Sequence, residues 1–189
     1  MPLKSVIDIL ASVSAGIPAL PVVWSVELGD YATSLSISRD GTLVAVGTAA
    51  GEVWAFDTST GALRFRRAAH QDGVLAVAWS PQQRCLATAG QDGQARLFDA
   101  EGDELATLPG GAPWVEHLAW APDGKHLASA AGRAARIWTS AAKLVLETEP
   151  NESTVSGVAW NRKSTELATA CYGSVSLFKA VSYTHLTLP

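Results

Sequence analysis

A repeat of about forty residues is the feature that most constrains the fold of this chain. One large residue at the end of a short apolar run recurs with spacings of 42, 41 and 40 residues, at Ile37, Trp79, Trp120 and Trp160. An aromatic residue in a later run recurs with spacings of 42, 40 and 40 residues, at Phe56, Phe98, Trp138 and Phe178. Two independent markers that keep nearly one period indicate tandem copies of a single structural unit.

Residues 70–99, HQDGVLAVAWSPQQRCLATAGQDGQARLFD, are the best-formed copy of this unit. Short apolar runs predict strands over residues 74–79, 85–89 and 94–98. Ser80-Pro81 ends the first run, because proline cannot donate a hydrogen bond to a strand ladder. The second run ends at the glycine-rich stretch GQDG, which is typical of a tight reversal.

A turn sequence recurs between the first and second strand of each copy, as SRDG, SPQQ, APDG and NRKS. The Asp-Gly pairs among them favour the positive φ that a tight hairpin requires. A fourth, outer strand fits residues 62–66, 104–108 and 143–148. Each copy is therefore predicted to be a four-stranded antiparallel meander.

One such sheet is apolar on both faces, so it has to stack against similar sheets in water. A period near forty residues with four short strands is typical of a propeller blade. The expected fold is all-β, a partial β-propeller of about four blades that is open or incompletely closed. In this arrangement Trp79, Trp120 and Trp160 are predicted to pack between blades.

The chain resembles the Trp-Asp (WD) repeat β-propellers over about residues 24–180. The matching residues in the best copy are His70, Ser80-Pro81, Thr88, Asp92 and Phe98-Asp99, where the family has Trp-Asp. The resemblance implies that His70, Thr88 and Asp92 form an internal hydrogen-bonded network. Phe98 lacks an N–H donor, so this network is expected to end there.

The other copies depart further from the family pattern. The third copy keeps Ser129 and Trp138 but has Arg133 near the Asp position, and the fourth keeps Thr169. The first copy has none of the polar pattern beyond Asp30. These copies are expected to depend on apolar packing more than on polar contacts.

The domain organisation follows from the repeat. Residues 22–28 are expected to be the outer strand of a final blade, so the chain is interpreted as a propeller fragment. The tail VSYTHLTLP resembles a translated sequencing-library adapter and is interpreted as non-native, the alternative being a genuine outer strand. The expected segments are a partly ordered leader (1–21), the repeats (22–180, with blades at 24–66, 67–110, 111–150 and 151–180) and the tail (181–189).

Composition excludes several classes of function. A net charge of −4 and a pI near 5.5 provide no basic surface for nucleic acid. No metal or cofactor is expected, because the four histidines lack ligand spacing. Cys85 and Cys171 are expected to be buried free thiols. The leader is too interrupted for a membrane span, and Asp8 disfavours a signal peptide, so a cytoplasmic location is expected with secretion as the alternative.

The expected function is a non-catalytic scaffold that binds protein partners. In WD-repeat propellers, the residues before each first strand and the loops between second and third strands lie on the face most often used for partners. Trp114 is the foremost candidate, with packing over a neighbouring blade as its alternative role. The candidate contact residues are Tyr31, Gln91, Trp114, Arg133 and Tyr172.

Two other functions remain open at this point. One is an enzymatic or ligand-binding propeller, which acidic or histidine side chains gathered in a central channel would favour, and small residues such as Ala76, Ala78 and Ala119 would oppose. A catalytic role for His70, Thr88 and Asp92 is disfavoured, because no nucleophile elbow or oxyanion loop accompanies them. The other is a sensor segment of a larger signalling protein.

Overall fold

A computed structural model describes residues 19–180, which form fifteen β-strands and no helix. Consequently, no helix in this range could cross a membrane. The strands are β1 (Ala32–Ile37), β2 (Leu43–Thr48), β3 (Glu52–Asp57), β4 (Leu63–Ala68), β5 (Val74–Trp79), β6 (Cys85–Gly90), β7 (Gln94–Asp99), β8 (Glu104–Pro109), β9 (Val115–Trp120), β10 (His126–Ala131), β11 (Ala134–Thr139), β12 (Leu144–Glu147), β13 (Val155–Trp160), β14 (Glu166–Cys171) and β15 (Ser174–Lys179).

The strands form four separate antiparallel meanders, β1 to β4, β5 to β8, β9 to β12 and β13 to β15. The inner strands β1, β5, β9 and β13 lie side by side in chain order, so consecutive sheets stack as blades. The fourth blade has three strands within the described range, and the ring is not closed. The predicted all-β, partial propeller is therefore confirmed.

The hydrophobic core consists of three layers, each between two neighbouring blades. The first layer joins residues such as Leu43 and Phe65 to Trp79, and the second joins residues such as Leu97 to Trp120. Trp160 packs against the third layer. The predicted inter-blade role of these tryptophans is confirmed, and no blade has a core of its own.

Two of these tryptophans also form hydrogen bonds between blades. Trp120 Nε1 donates to Ala78 O at 3.0 Å, and Trp160 Nε1 donates to Ala119 O at 2.9 Å. The equivalent acceptor for Trp79 would be the carbonyl of Ser36, which precedes Ile37 as Ala78 precedes Trp79. Trp79 Nε1 is instead buried without a partner among the described residues.

The repeat extends to irregularities in the backbone. The pairing of each inner strand with its neighbour shifts by one residue near the start of the inner strand, at Thr33, Leu75, Glu116 and Ser156. A bulge at this point increases strand twist and redirects side chains. The hairpin turns repeat as well, since Gly41, Gly124 and Ser164 all have φ between 58° and 70°.

The prediction of a strand over residues 22–28 is wrong, because no strand forms there. A strand at this point needs the inner strands of a further blade as its partner, and residues 19–180 do not supply one. Trp24 instead packs on Phe56, with ring centroids 6.1 Å apart, and its Nε1 donates to Thr58 O at 2.7 Å. The leader up to residue 18 and the tail over 181–189 lie outside the described residues.

Trp120→Phe and Trp79→Phe form a matched pair for measuring the inter-blade hydrogen bond. Both indoles are buried, with 9% and 7% exposure, but only that of Trp120 has an acceptor. A hydrogen bond contributes a net of about 1 kcal/mol to stability. We therefore expect Trp120→Phe to lower the free energy of unfolding by about 1 kcal/mol more than Trp79→Phe does. Urea denaturation of the two variants measures the difference, and equal losses would contradict this role of the bond.

Candidate interaction surface

One end of the blades carries all five predicted contact residues, and we call it the loop face: Tyr31, Gln91, Trp114, Arg133 and Tyr172. In each blade, the turn between the second and third strands is hydrogen-bonded to the segment that precedes an inner strand. Ala49 N donates to Tyr31 O at 3.0 Å, and Gln91 N donates to Gly73 O at 3.0 Å. Such bonds hold the loops in place on the sheet frame.

The three aromatic residues of the loop face are exposed. Tyr31 has 82% of its surface exposed, Trp114 has 52% and Tyr172 has 90%. Exposure of this extent is unusual for large aromatic side chains, which are mostly buried in folded proteins. These rings are free to contact another molecule.

Trp114 lines a cavity of about 400 Å³ that spans the third and fourth blades. The lining combines Pro113 and Gly132 of the third blade with Thr154, which precedes β13. Glu116, at the bulge of β9, adds a carboxylate to the same cavity. Sequence reasoning missed Glu116, because a regular strand would not single out its side chain.

The two polar residues of the loop face are partly engaged within the protein. Gln91 is half-buried, and its Oε1 accepts a hydrogen bond from Gly73 N at 3.3 Å. Arg133 is exposed, but its Nε donates to Asn151 O at 2.6 Å, and its carbonyl accepts from Asn151 Nδ2 at 2.9 Å. Arg133 therefore joins the third blade to the fourth while its terminal nitrogens remain outside this contact.

His70, Thr88 and Asp92 lie together inside the second blade. His70 Nδ1 is 2.8 Å from Asp92 Oδ1, and His70 Nε2 is 2.9 Å from Thr88 Oγ1. The ring fits closely, since a Cβ at position 90 would overlap it, and position 90 is glycine. In the described residues no hydrogen bond joins Thr88 to Phe98, in keeping with its lack of a side-chain donor, and at the Asp92 end the network continues to Arg96, whose Nη1 donates to Asp92 Oδ2 at 2.7 Å.

Burial lowers the pKa of His70, although the hydrogen bond with Asp92 opposes this effect. The imidazole is therefore neutral at pH 7. Because a carboxylate can only accept, the Asp92 contact assigns the proton to Nδ1 and leaves Nε2 to accept from the Thr88 hydroxyl. Arg96 Nη1, which can only donate, also lies 2.7 Å from Nδ1 and competes with this arrangement. Burial by itself would raise the pKa of Asp92, but hydrogen bonds from His70 and Arg96 hold it below its ordinary value.

These groups have the residue types of a catalytic triad without its accessibility. Thr88 is fully buried with 0% exposure, and His70 has 6%. A nucleophile must reach its substrate, and the Thr88 hydroxyl is enclosed by its own sheet. Within residues 19–180, no three histidine, cysteine or acidic side chains are grouped as metal ligands.

The third and fourth blades contain shorter versions of this network. Trp138 Nε1 donates to Ser129 Oγ at 2.9 Å in the third blade. In the fourth, Thr169 Oγ1 donates to Asn151 Oδ1 at 3.1 Å. The sequence separation of 18 residues between Asn151 and Thr169 is the same as between His70 and Thr88. That equal spacing could have identified Asn151, which occupies the place of His70.

The predicted free thiols are confirmed, since Cys85 and Cys171 are both buried and neither forms a disulfide. Burial raises the pKa of Cys85 to about 11, and the Asp99 carboxylate adds to this effect. The Cys85 thiol is therefore protonated at neutral pH and unreactive as a nucleophile.

Comparison with known proteins assigns the fold to a family. Residues 62–99 and 102–139 match the family described as WD domain, G-beta repeat, and residues 20–80 match the Anaphase-promoting complex subunit 4 WD40 domain. The chain belongs to the WD-repeat β-propeller family. Phe98-Asp99 therefore stands at the position of the Trp-Asp pair for which the family is named.

Several relatives and one designed structure are similar to this WD-repeat chain. WD repeat-containing protein slp1 of Schizosaccharomyces pombe is 28% identical over 73% of this chain and 31% of its own length. Anaphase-promoting complex subunit 4 of the same yeast is 37% identical over 48% of this chain and 13% of its own length. The computationally designed Ika4 protein shares the fold, with a TM-score of 0.76, 20% identity, and coverage of 86% of this chain and 99% of that one.

The chain spans only part of the curated relatives that it matches, from 8% of Coronin-7 of Mus musculus to 31% of slp1. The similarity therefore covers a set of repeats within longer proteins.

His70→Asn tests the buried network through its pH dependence. The unfolded chain has an ordinary histidine pKa near 6.5, whereas burial lowers that of the folded protein. Below about pH 6.5 the unfolded state binds a proton that the folded state does not, so stability is complete above this pH and declines on acidification. We expect His70→Asn, which copies the Asn151 arrangement of the fourth blade, to flatten this decline between pH 7 and pH 5.

Urea midpoints across that range are the measurement. Asp92 does not interfere, since its ordinary pKa is 3.8 and its folded value is lower still. Parallel pH profiles for the wild type and His70→Asn would show that the His70 imidazole does not control the decline.

Proposed function

We propose that this protein is a non-catalytic scaffold that binds protein partners through the loop face. The observation that supports this most strongly is the set of three exposed aromatic side chains, Tyr31, Trp114 and Tyr172, at one end of a packed frame. Aromatic and arginine side chains are the commonest anchors of protein interfaces. The affinity would come from these few anchors, and the surrounding loops would exclude water from them.

The rigidity of the frame supports the same proposal. Each loop is hydrogen-bonded to the segment beside it, as Tyr172 N is to Ser153 Oγ at 2.9 Å. A preorganised surface loses little conformational entropy on binding, so more of the contact energy appears as affinity. The cavity beside Trp114, about 400 Å³ in volume, would accept one side chain or a short peptide segment.

Absence of catalysis is part of this proposal. Ala76, Ala78 and Ala119, which were expected to oppose an enzymatic channel, are half-buried small residues on the inner strands. Relatives are named as intraflagellar transport, WD repeat-containing and anaphase-promoting complex proteins, which is in keeping with interaction functions. A cytoplasmic location and the fragment interpretation are likewise proposals.

Trp114→Ala tests the partner surface. Trp114 is half exposed, so its truncation removes little core packing and should change the free energy of unfolding by less than about 1 kcal/mol. A buried aromatic anchor is commonly responsible for 2 kcal/mol or more of binding energy, so we expect at least a roughly thirtyfold loss of affinity. Urea denaturation measures the free energy of unfolding, and calorimetric titration of a protein retained in affinity capture with the wild-type chain measures the affinity.

Leu105→Ala provides the matched control for Trp114→Ala. Leu105 is 58% exposed, and it lies on the outer strand β8 rather than on the loop face. It should leave partner affinity unchanged. If Trp114→Ala lowered the unfolding midpoint sharply while affinity stayed at the wild-type value, Trp114 would be a packing residue and the proposed surface would be wrong.

A further inference from the structure

A second cavity, of about 390 Å³, lies between the first and second blades at the end opposite the loop face. The turns after β1 and β5 form its walls, and we call this end the turn face: residues 38–41, 80–83, 121–124 and 161–164. Successive turns of an antiparallel meander lie at opposite ends of its strands, so this cavity is separate from the one beside Trp114. Leu43 and Trp79 provide buried apolar surface in its lining.

Trp79 contributes an unsatisfied hydrogen-bond donor to this site. Its side chain lines the cavity, and its Nε1 is buried without a partner, whereas the equivalent nitrogens of Trp120 and Trp160 donate to carbonyls. A buried donor without a partner destabilises the folded state and is uncommon in native proteins. An acceptor supplied by a bound molecule would remove this cost.

Ser80 contributes a second donor. The residue has 2% exposure, and its Oγ accepts hydrogen bonds from Gln82 N at 3.4 Å and Gln83 N at 3.2 Å. The matching serine of the first blade, Ser38, donates its own proton to Asp40 Oδ1 at 2.7 Å. Gln82 replaces that aspartate in the second blade, so the Ser80 proton has no acceptor among residues 19–180.

Two guanidinium groups make the rim of the cavity positive. Arg39 Nη1 donates to Pro81 O at 2.8 Å, which leaves its other N–H groups available. Arg84 forms no hydrogen bond or ion pair within the described part of the chain, and its charge acts on nearby Asp40. Asp40 also lines the cavity as an anion, and its Oδ1 accepts from Ser38 Oγ, Thr42 N and Thr42 Oγ1. Two guanidinium groups against one carboxylate leave the charged side chains of the lining net positive.

The cavity therefore has unsatisfied donors, two guanidinium groups against one carboxylate, and a partly apolar lining. We propose that it binds a carboxylate on a peptide segment, with an apolar side chain of the same segment against Leu43 and Trp79. Arg39 and Arg84 would pair with the carboxylate, and the Trp79 indole and the Ser80 hydroxyl would donate to acceptors of the same segment. The site is independent of the partner surface on the loop face.

The probe is a fluorescein-labelled peptide Leu-Glu-Leu-Glu-Leu with a C-terminal amide. The amide removes the terminal carboxylate, so the two glutamate side chains are the only carboxylates of the peptide chain. We expect it to bind at least about tenfold more tightly than the matched Leu-Gln-Leu-Gln-Leu peptide, as a charge-assisted hydrogen bond is worth about 1.5 to 3 kcal/mol. Fluorescence polarisation measures both affinities. In a ¹⁵N–¹H spectrum, the Trp79 indole cross-peak, assigned by its loss in Trp79→Phe, should move on titration, and that of Trp120 should not.

Arginine variants locate the binding. Arg84→Gln and Arg39→Gln should each lower the affinity for the glutamate peptide by about tenfold. The matched control is Arg162→Gln, since Arg162 occupies the place of Arg39 in the turn of the fourth blade and does not line the cavity. Arg162→Gln and Trp114→Ala should both retain wild-type affinity, which separates this site from the loop face.

Equal affinities for the glutamate and glutamine peptides would overturn the proposal. So would an equal loss in Arg84→Gln and Arg162→Gln, which would indicate general charge attraction, or a Trp79 indole signal that does not move at saturation. Inorganic phosphate and acetate are each titrated as competitors. If phosphate displaced the peptide at concentrations at which acetate had no effect, the cavity would be a phosphate site and the carboxylate proposal would be wrong.

Discussion

The packing of one blade against the next is the interaction on which the whole structure depends. Each sheet is apolar on both faces, and the buried residues form three layers between blades. Burial of apolar surface is the main favourable contribution to folding, and here it is obtained only when two repeats associate. The polar networks inside the blades vary from copy to copy, but the layers recur. This explains how the family fold persists in copies that have lost most of the family's polar residues.

Much of this fold could be predicted from the sequence, because its period is encoded in large side chains. A tryptophan at the end of an inner strand fills the space between two blades, so its position cannot drift far from one copy to the next. The strand over residues 22–28 was predicted wrongly for a related reason. Local β-propensity favoured a strand in that segment, but a strand exists only where a partner edge is present, and the partner is a property of the whole sheet.

The candidate site was less predictable than the fold. Exposed aromatics such as Trp114 could be expected from their place before an inner strand, whereas Glu116 enters the same cavity through a bulge that no local pattern marks. Arg96 joins the His70 network across a strand pair, opposite Thr88, and only the register brings the two together. Trp79 has the same residue type and repeat position as Trp120, but its Nε1 lacks the carbonyl partner in the preceding blade that Trp120 has. Such features depend on pairs of copies, so single-copy motifs do not reveal them.

The recurring bulges near the start of each inner strand separate changes in loop length from the register of the strand. Side chains alternate strictly along a strand, so a change in length that entered the core would exchange its buried and exposed faces. The bulges at Thr33, Leu75, Glu116 and Ser156 lie between the loop face and the regular part of the strand. A loop can therefore gain or lose a residue there, and the bulge absorbs the change before it reaches the tryptophan layers. The loop face can thus change in length during evolution, while the frame beneath it retains the same register.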